Sequence, residues 1–269
     1  MKQLQADEIR APLSAVPREK LDDLEIFREI ESTNSYLLRQ RGPAPGRYRV
    51  AIAEHQTAGR GRLNRTWYSP PDSGICLSLA YTFGDDRDDL SSVPLAAGVG
   101  VADVLEDIGA GDVGLKWPND VMVSNAKLGG ILVEKLQTGT DNAAVVVGVG
   151  INVDLSFHEH GDATPPAGAT DLRACCEVVP DRSALSAMLI ESLFNTMIRF
   201  DADGFSTFRA AWQLRDWLRG RRISVDAPLG EVSGVATGID SYGALLLDTI
   251  DGSQRIVSGS VNRIDAPGS

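Results

Sequence analysis

The chain has 269 residues, 43% hydrophobic and 23% charged, which allows one large domain plus a small one around a real core. Its formal net charge of -11 argues against a general nucleic-acid binder, which needs surplus Lys and Arg to neutralise phosphates, but leaves room for a local basic pocket. Cys76, Cys175 and Cys176, an odd set with no CxxC spacing, argue against a disulfide framework and point to a reducing, cytoplasmic compartment.

Residues 1–24 are polar and broken by Pro12 and Pro17; they read as a loose or weakly helical lead-in without the apolar centre of a signal peptide. A strand over LEIFREI then runs into Ser32-Thr33-Asn34, residue types that cap a helix through their side-chain oxygens, and Tyr36, Leu37 and Leu38 follow on that helix. Tyr48 to Ala53 and Gly74 to Tyr81 read as strands, separated by a loop rich in Gly and Arg. Leu95, Val99, Ala102, Leu105 and Ile108 recur at helical spacing over 92–108, with Gly109 placed to end the helix. Strands follow around Val113 to Trp117, Gly130 to Leu136 and Val145 to Val153; the last is the longest apolar run and is too short to cross a bilayer. Residues 155–168 read as an exposed loop. Asp181 caps a helix carrying Leu185, Met188, Leu189, Leu193 and Met197, and Phe205, Phe208 and Trp212 lie on another. Near Gly220 the pattern changes to short alternating strands with turns at Tyr242-Gly243 and Asp251-Gly252, a small β-module expected to pack on the larger domain. The expected division is a lead-in over 1–24, a large α/β domain over 25–219 and a small barrel over 220–265.

Four stretches carry chemistry. In Glu54-His55-Gln56-Thr57-Ala58-Gly59-Arg60-Gly61-Arg62, with Arg65 and Trp67 beyond, glycine backbone can form an anion nest and three guanidinium forks suit phosphate or carboxylate. A solvated basic loop is the alternative. Lys116-Trp117-Pro118-Asn119-Asp120 gathers a cation for phosphate, an aromatic face, an amide and a carboxylate for Mg²⁺; a β-turn with a capping Asn-Asp is the plainer account. In Lys127-Leu128-Gly129-Gly130, glycines at a strand start allow close approach by a ligand, or mark a bulge beside a surface lysine. In the run from Val145 to Val153, the odd positions are all Val or Ile, so Gly148, Gly150 and Asn152 share the opposite face, either a floor for a flat ligand or a surface for a closely packed helix. The floor is favoured, because a buried Asn152 otherwise needs a partner. His158-Glu159-His160 reads as solvated loop rather than a metal site, Arg219, Arg221 and Arg222 as inter-domain salt-bridge partners, and Cys175-Cys176 as packing.

Taken together, Ser32-Thr33-Asn34, the GRGR loop with Trp67, KWPND, KLGGIL and GVGIN resemble the biotin protein ligase family in order and rough spacing, over about Leu24 to Ile264. The resemblance implies an α/β (α+β) fold: a catalytic domain with a mixed sheet, similar to that of class II aminoacyl-tRNA synthetases, followed by a C-terminal SH3-like barrel. It implies a ligase that uses ATP to make biotinyl-5'-AMP and passes biotin to a lysine of a biotin carboxyl carrier protein or carrier domain, with Mg²⁺ as cofactor; separately, an exposed sheet edge could support a homodimer. By position it assigns biotin to Ser32, Thr33, Asn34, Gln56, Gly59, Arg60, Arg62, Trp67, Lys127, Gly130 and Gly148. It assigns the nucleotide to Arg62, Arg65, Lys116, Asn119, Asp120 and Asn152, Mg²⁺ to Asp120, and the catalytic charge to Lys127, Arg60, Arg62 and Lys116. Asn64 stands where the family often has glycine, and Asn tolerates left-handed backbone. The short lead-in leaves no room for the family's winged helix-turn-helix, so a monofunctional form is expected. A lipoate or octanoate ligase of the same fold and a non-catalytic biotin sensor are the alternatives.

Overall fold

The structure is a computed structural model that describes residues 2–137, 141–156 and 165–264. Seven strands, β1 (Leu21–Phe27), β2 (Tyr48–Ala53), β3 (Gly74–Thr82), β4 (Val113–Lys116), β5 (Asp120–Val123), β6 (Ala126–Lys135) and β7 (Ala144–Asn152), form one sheet in the order β1-β2-β3-β7-β6-β5-β4. The β1–β2 pair is parallel and the other pairs are antiparallel, which is the mixed sheet of the expected α/β class.

Side-chain alternation divides this sheet into two unlike faces. Leu77, Leu79, Val147, Val149, Ile151 and Ile131 point one way and are buried in the main core. Helices α4 (Val93–Asp107) and α6 (Arg182–Asp203) supply apolar partners to the same core. The opposite face carries Cys76 and Ser78 on β3, Gly148 and Gly150 on β7, and Gly130 on β6. Register puts Cys76 beside Gly150, Ser78 beside Gly148 and Gly130 beside Gly150. Small residues therefore leave a hollow on that face. Helix α3 (Thr33–Leu38) closes one end of it, where Leu37 packs with Ala51, Ala80, Leu136, Ala144 and Val146.

The lead-in differs from its sequence reading. It forms two short helices, α1 (Ala6–Arg10) and α2 (Ala15–Lys20), and β1 begins at Leu21 rather than Leu24. Leu4, Ile9 and Leu13 are buried in the main core. Their spacing is too irregular to show as a periodic pattern; docking on α6 orders them. Sequence reading also misses β5, because KWPND is itself the tight turn between β4 and β5, with the Asn119 N–H donating to the Lys116 carbonyl at 3.1 Å. The expected caps are present: the Asp181 side chain accepts from the Ser183 and Ala184 N–H groups, and Gly109 turns the chain at φ 89.

After α5 (Leu172–Cys175), α6 and α7 (Ser206–Leu214), a second sheet forms from β8 (Arg222–Ala227), β9 (Gly230–Ile239), β10 (Leu245–Thr249), β11 (Gly252–Ile256) and β12 (Ser260–Ile264). It is antiparallel, in the order β11-β10-β9-β8-β12. Hydrogen bonds tie it to the larger body, among them those of Arg209 and Gln213 on α7 to the Ile239 carbonyl. The Trp117 indole N–H donates to the Gly243 carbonyl at 3.0 Å, Arg62 reaches the Gly259 carbonyl at 3.2 Å, and Arg65 reaches the Ser260 hydroxyl at 3.0 Å. Arg221 stacks on Trp217 at 3.9 Å, and its Nε donates to the Trp217 carbonyl, so it is held by an aromatic face and a carbonyl.

The link between the two sheets holds a costly carboxylate. Asp216 accepts one bond from the Leu218 N–H at 3.0 Å, while its Oδ2 is buried with no hydrogen-bond partner among the described residues. Burial pushes its pKa up to about 6. The folded value lies above the ordinary value of about 3.9, so the stability linked to this proton is complete below about pH 4 and is lost as pH rises through about 6. Asp216→Asn is therefore expected to stabilise the protein at pH 8, by on the order of 2 kcal/mol, and to change little at pH 4. Urea midpoints at the two pH values measure this, and an equal change at both would refute the account.

Candidate active site

The hollow on the glycine-bearing face is a cavity of about 280 Å³, the order of size of a small-molecule cleft. Its polar end is set by how the chain leaves β1. Residues around Ile30 run parallel to residues around Gln56, with the Thr57 N–H donating to the Ile30 carbonyl at 2.9 Å and the Ala58 N–H to the Glu31 carbonyl at 2.9 Å. This pairing delivers the start of α3 to Gln56. Gln56 Oε1 accepts from the Thr33 N–H at 2.8 Å and lies 3.1 Å from the Thr33 hydroxyl oxygen. Ser78 lies within 2.7 Å of Thr33 Oγ1 and 2.6 Å of Asn34 Oδ1. Ser32, the N-cap residue, accepts from the Ser35 N–H.

The arginine loop folds back on itself beside this end. The Gly61 N–H donates to the Arg65 carbonyl at 2.7 Å and the Trp67 N–H to the Gly59 carbonyl at 2.8 Å. The reversal requires left-handed backbone at Leu63 (φ 54) and Asn64 (φ 58). Asn64 thus does what the sequence reading expects of it, while a leucine in this region is strained by about 1 kcal/mol. Leu63 is nonetheless 68% exposed, so core packing does not account for its conformation.

Lys127 reaches the cavity because of a β-bulge. In an unbroken strand Lys127 and Gly130, three positions apart, would face opposite ways. Between β5 and β6 the register slips: Val121 pairs with Gly129 but Met122 pairs with Lys127. Leu128 is the extra residue and sinks into the core, and Lys127 turns onto the cavity side. Its Nζ lies 2.6 Å from Asp120 Oδ1 and 5.7 Å from the Trp67 ring centroid. Lys116 sits across the β4–β5 turn from Asp120. Burial lowers the Lys116 pKa, Lys127 and Arg65 lower it further, and Asp120 opposes the shift. Burial likewise lowers Arg62, with Arg65 adding to the effect and Asp120 opposing it. Arg60, Arg62, Arg65, Lys116 and Lys127 all line the one cavity, and Asp120 is the sole carboxylate among its described lining residues. Such a surplus of cations calls for an anionic ligand.

Ser32, Thr33, Asn34, Gln56, Trp67, Asn119, Gly130, Gly148 and Asn152 also line it; Gly59 does not, and instead packs behind against the Trp67 carbonyl. Two sequence expectations are modified. The bare backbone of Gly148 and Gly150 is occupied by protein: Asn34 lies against Gly148, and a Cβ on Gly150 would stand 2.5 Å from the Trp67 ring. Asn152 has its own partner, the Thr170 carbonyl at 2.9 Å. Trp117 is 3% exposed and spends its N–H on Gly243, so it braces the second sheet more than it offers a free face. Asn119 pins the turn to β6 by two bonds with Ile131. Among the lining residues that sequence reasoning did not single out are Tyr68, Cys76, Ser78, Ser260 and Val261. Ser78 was findable, because Cys76, Ser78 and Ala80 alternate as small residues along an otherwise large-residue strand; nothing marks Ser260. His158-Glu159-His160 lies outside the described residues.

Gly150→Ala should push Trp67 off the floor. The expected result is that affinity for biotin, the ligand that the sequence resemblance implies, falls about tenfold by calorimetry with little change in Tm, since the clash falls on a cavity-lining ring rather than on backbone. Unchanged affinity would show that the Trp67 position is irrelevant to binding.

The comparisons with known proteins accord with this geometry. The biotin/lipoate A/B protein ligase family model matches residues 26–152, and the model of the biotin protein ligase C terminal domain matches residues 220–262. The biotin--[acetyl-CoA-carboxylase] ligase of Mycobacterium tuberculosis is 35% identical over 241 residues, 87% of this chain and 86% of that protein. The bifunctional ligase/repressor BirA of Escherichia coli is 35% identical over 224 residues, 81% of this chain and 67% of that protein. A structure of biotin protein ligase from Aquifex aeolicus in complex with biotin and ATP superimposes with a TM-score of 0.75 at 26% identity, covering 91% of this chain and 100% of that one. The chain described here belongs to the biotin protein ligase family.

Proposed function

We propose that this protein is an ATP-dependent ligase that converts biotin and ATP to biotinyl-5'-AMP and transfers the biotinyl group to a lysine of a biotin carboxyl carrier protein or carrier domain. The observation that carries this reading is the convergence of five cationic side chains on one cavity whose other end is the polar group Thr33, Gln56 and Ser78. An acid with a polar ring fits the polar end, and an activated phosphate ester fits the cations.

A carboxylate is a poor electrophile. One biotin carboxylate oxygen attacks the ATP α-phosphorus, the bond from phosphorus to the bridging oxygen breaks, and pyrophosphate leaves. Pre-placed Lys and Arg stabilise the charge that shifts among the phosphoryl oxygens. In this reading Lys127, which lies beside Gly130 and Trp67, serves the carboxylate and α-phosphate, and Lys116, Arg62 and Arg65 serve the nucleotide. Arg62 and Arg65 also fasten the loop to the second sheet, whose Ser260 and Val261 line the cavity, and this helps to shield a water-labile mixed anhydride. The acceptor amine then attacks the acyl carbon, the bond from that carbon to the phosphate oxygen breaks, and AMP departs. The amine must lose a proton, since its ordinary pKa is about 10.4.

The described residues contain no group of three or more His, Cys, Asp or Glu able to hold a metal. A Mg²⁺ ion caged by protein alone does not fit, but one carried on the triphosphate, with Asp120 as its protein carboxylate, does. Bound there, it would neutralise phosphate charge. No helix among the described residues is long and apolar enough to cross a membrane. The three free cysteines support a reducing cytoplasm as the site of action, and assembly as a homodimer is compatible with this reading.

The direct test is the intact mass of a carrier domain after incubation with this protein, biotin and Mg-ATP. A gain of one biotinyl group on one lysine is expected. No gain with biotin, together with a gain when lipoate or octanoate replaces it, would favour a different acid; binding of biotin without pyrophosphate exchange would favour a sensor.

A further inference from the structure

The arginine loop and the polar end of the cavity are joined by one residue outside the cavity lining. Glu134 lies on β6, on the same face as Gly130 and Leu132. Its Oε2 accepts from Arg60 Nη2 at 2.7 Å and from Asn34 Nδ2 at 2.9 Å. Asn34 is 4% exposed and otherwise saturated on its donor side, because Nδ2 also donates to the Leu132 carbonyl at 3.2 Å; its Oδ1 accepts from Ser78. With the one Ser78 proton on Asn34, the Thr33 hydroxyl donates to Ser78 Oγ, and the Thr33 N–H donates to Gln56 Oε1. A continuous hydrogen-bonded chain thus runs from Gln56 through Thr33, Ser78, Asn34 and Glu134 to Arg60.

The chain has two consequences. First, Arg60 is held by one terminal nitrogen while its Nε is buried without a hydrogen-bond partner among the described residues. A buried guanidinium donor left open in a cavity lined by four other cations is suited to an anionic ligand atom. Second, Asn34 cannot shift toward a ligand at the polar end without moving the carboxylate that holds Arg60. Side-chain networks of this kind act as a unit.

We propose that Glu134 is a positioning residue that couples occupancy of the biotin ring end of the cavity to the placement of Arg60 over the activated carboxyl group. The proposal rests on the ligase reading and adds to it a residue that touches neither substrate. In the empty site Glu134 offsets one of the crowded cationic charges. In the filled site it keeps the loop registered on the floor, so the adenylate is retained.

The experiment measures the biotin KM and kcat of ATP–pyrophosphate exchange, and the fraction of adenylate that escapes into the filtrate, for the parent, Glu134→Ala, Glu134→Gln, Arg60→Ala and the double variant Glu134→Ala/Arg60→Ala. Glu134→Ala is expected to raise biotin KM about tenfold and to release several-fold more adenylate, with a smaller effect on kcat. Glu134→Gln, whose amide oxygen still accepts from both neighbours, should recover most of the KM. In the Arg60→Ala background, Glu134→Ala should increase escape by less than about twofold, because the coupling has already been removed. Parent-like KM and retention in both Glu134 variants, or fully additive losses in the double variant, would overturn the proposal. If Glu134→Ala does not fold, Glu134→Gln and its double variant with Arg60→Ala give the same two readings at smaller amplitude. A parent protein with no biotin-dependent exchange would overturn the ligase reading and this proposal with it; an active parent with unaffected variants overturns this proposal alone.

Discussion

Lys127→Gln should lower biotin-dependent pyrophosphate exchange by at least about a hundredfold, the usual cost of deleting a pre-placed group that stabilises transition-state charge. The side chain is 38% exposed and its structural partner is Asp120, so the loss should come with a Tm close to that of the parent. The backbone of Lys127 is held independently of its side chain, by its N–H to the Gly168 carbonyl at 2.7 Å and by its carbonyl to the Thr170 N–H at 2.9 Å. The amide of glutamine therefore arrives at nearly the same place without the charge. Asp120 loses its ion pair with Lys127 but still faces Lys116 and Arg62, so the loss falls on the charge that Lys127 supplies. Exchange within threefold of the parent would remove Lys127 from the catalytic set. A large fall in Tm would show instead that the lysine is structural.

Arg182→Ala should destabilise the fold by about 3–5 kcal/mol, because it strands a buried carboxylate. The Arg182 side chain is 2% exposed and Glu54 is 10% exposed, with Nη2 and Oε2 2.5 Å apart. The same nitrogen contacts Asp72 at 2.8 Å and the Lys2 carbonyl at 3.0 Å, and Glu54 Oε1 accepts from the Leu4 N–H at 2.7 Å. This cluster staples the N-terminal segment to α6 and to the end of β2, immediately before the arginine loop. Arg182 Nε and Nη1 have no partner among the described residues, so the pair is not a large net source of stability. Breaking it from one side is what costs. The double variant Arg182→Leu/Glu54→Gln should therefore recover most of the loss, since no charge is then buried alone. Denaturant midpoints of the parent, single and double variants measure this. A double variant as unstable as Arg182→Ala would mean that packing of the arginine stem, not the charge, is what matters.

Local pattern determined much of this protein by itself. The odd-numbered Val and Ile of 145–153 required a strand with one apolar face, and Gly148 and Gly150 left the other face open to close approach by a ligand or by protein. Helix spacing and cap chemistry located α4 and α6, because both depend on neighbours within a few residues. Clustering Arg60, Arg62, Arg65, Lys116 and Lys127 in short motifs of an acidic chain foreshadowed a common anion site. Tertiary structure alone decided the rest, because the deciding partner lies far away along the chain. The bulge at Leu128, set by pairing with β5, chose the face that Lys127 occupies. Packing on α6 turned an irregular lead-in into two short helices anchored by Ile9 and Pro17. Trp67 and Asn34, brought from remote segments, filled the bare glycine floor that strand alternation had left for a ligand. Ser260 and Glu134 carry no local signature: their place beside Arg65 and Arg60 exists only once the second sheet has docked and the arginine loop has folded over β6.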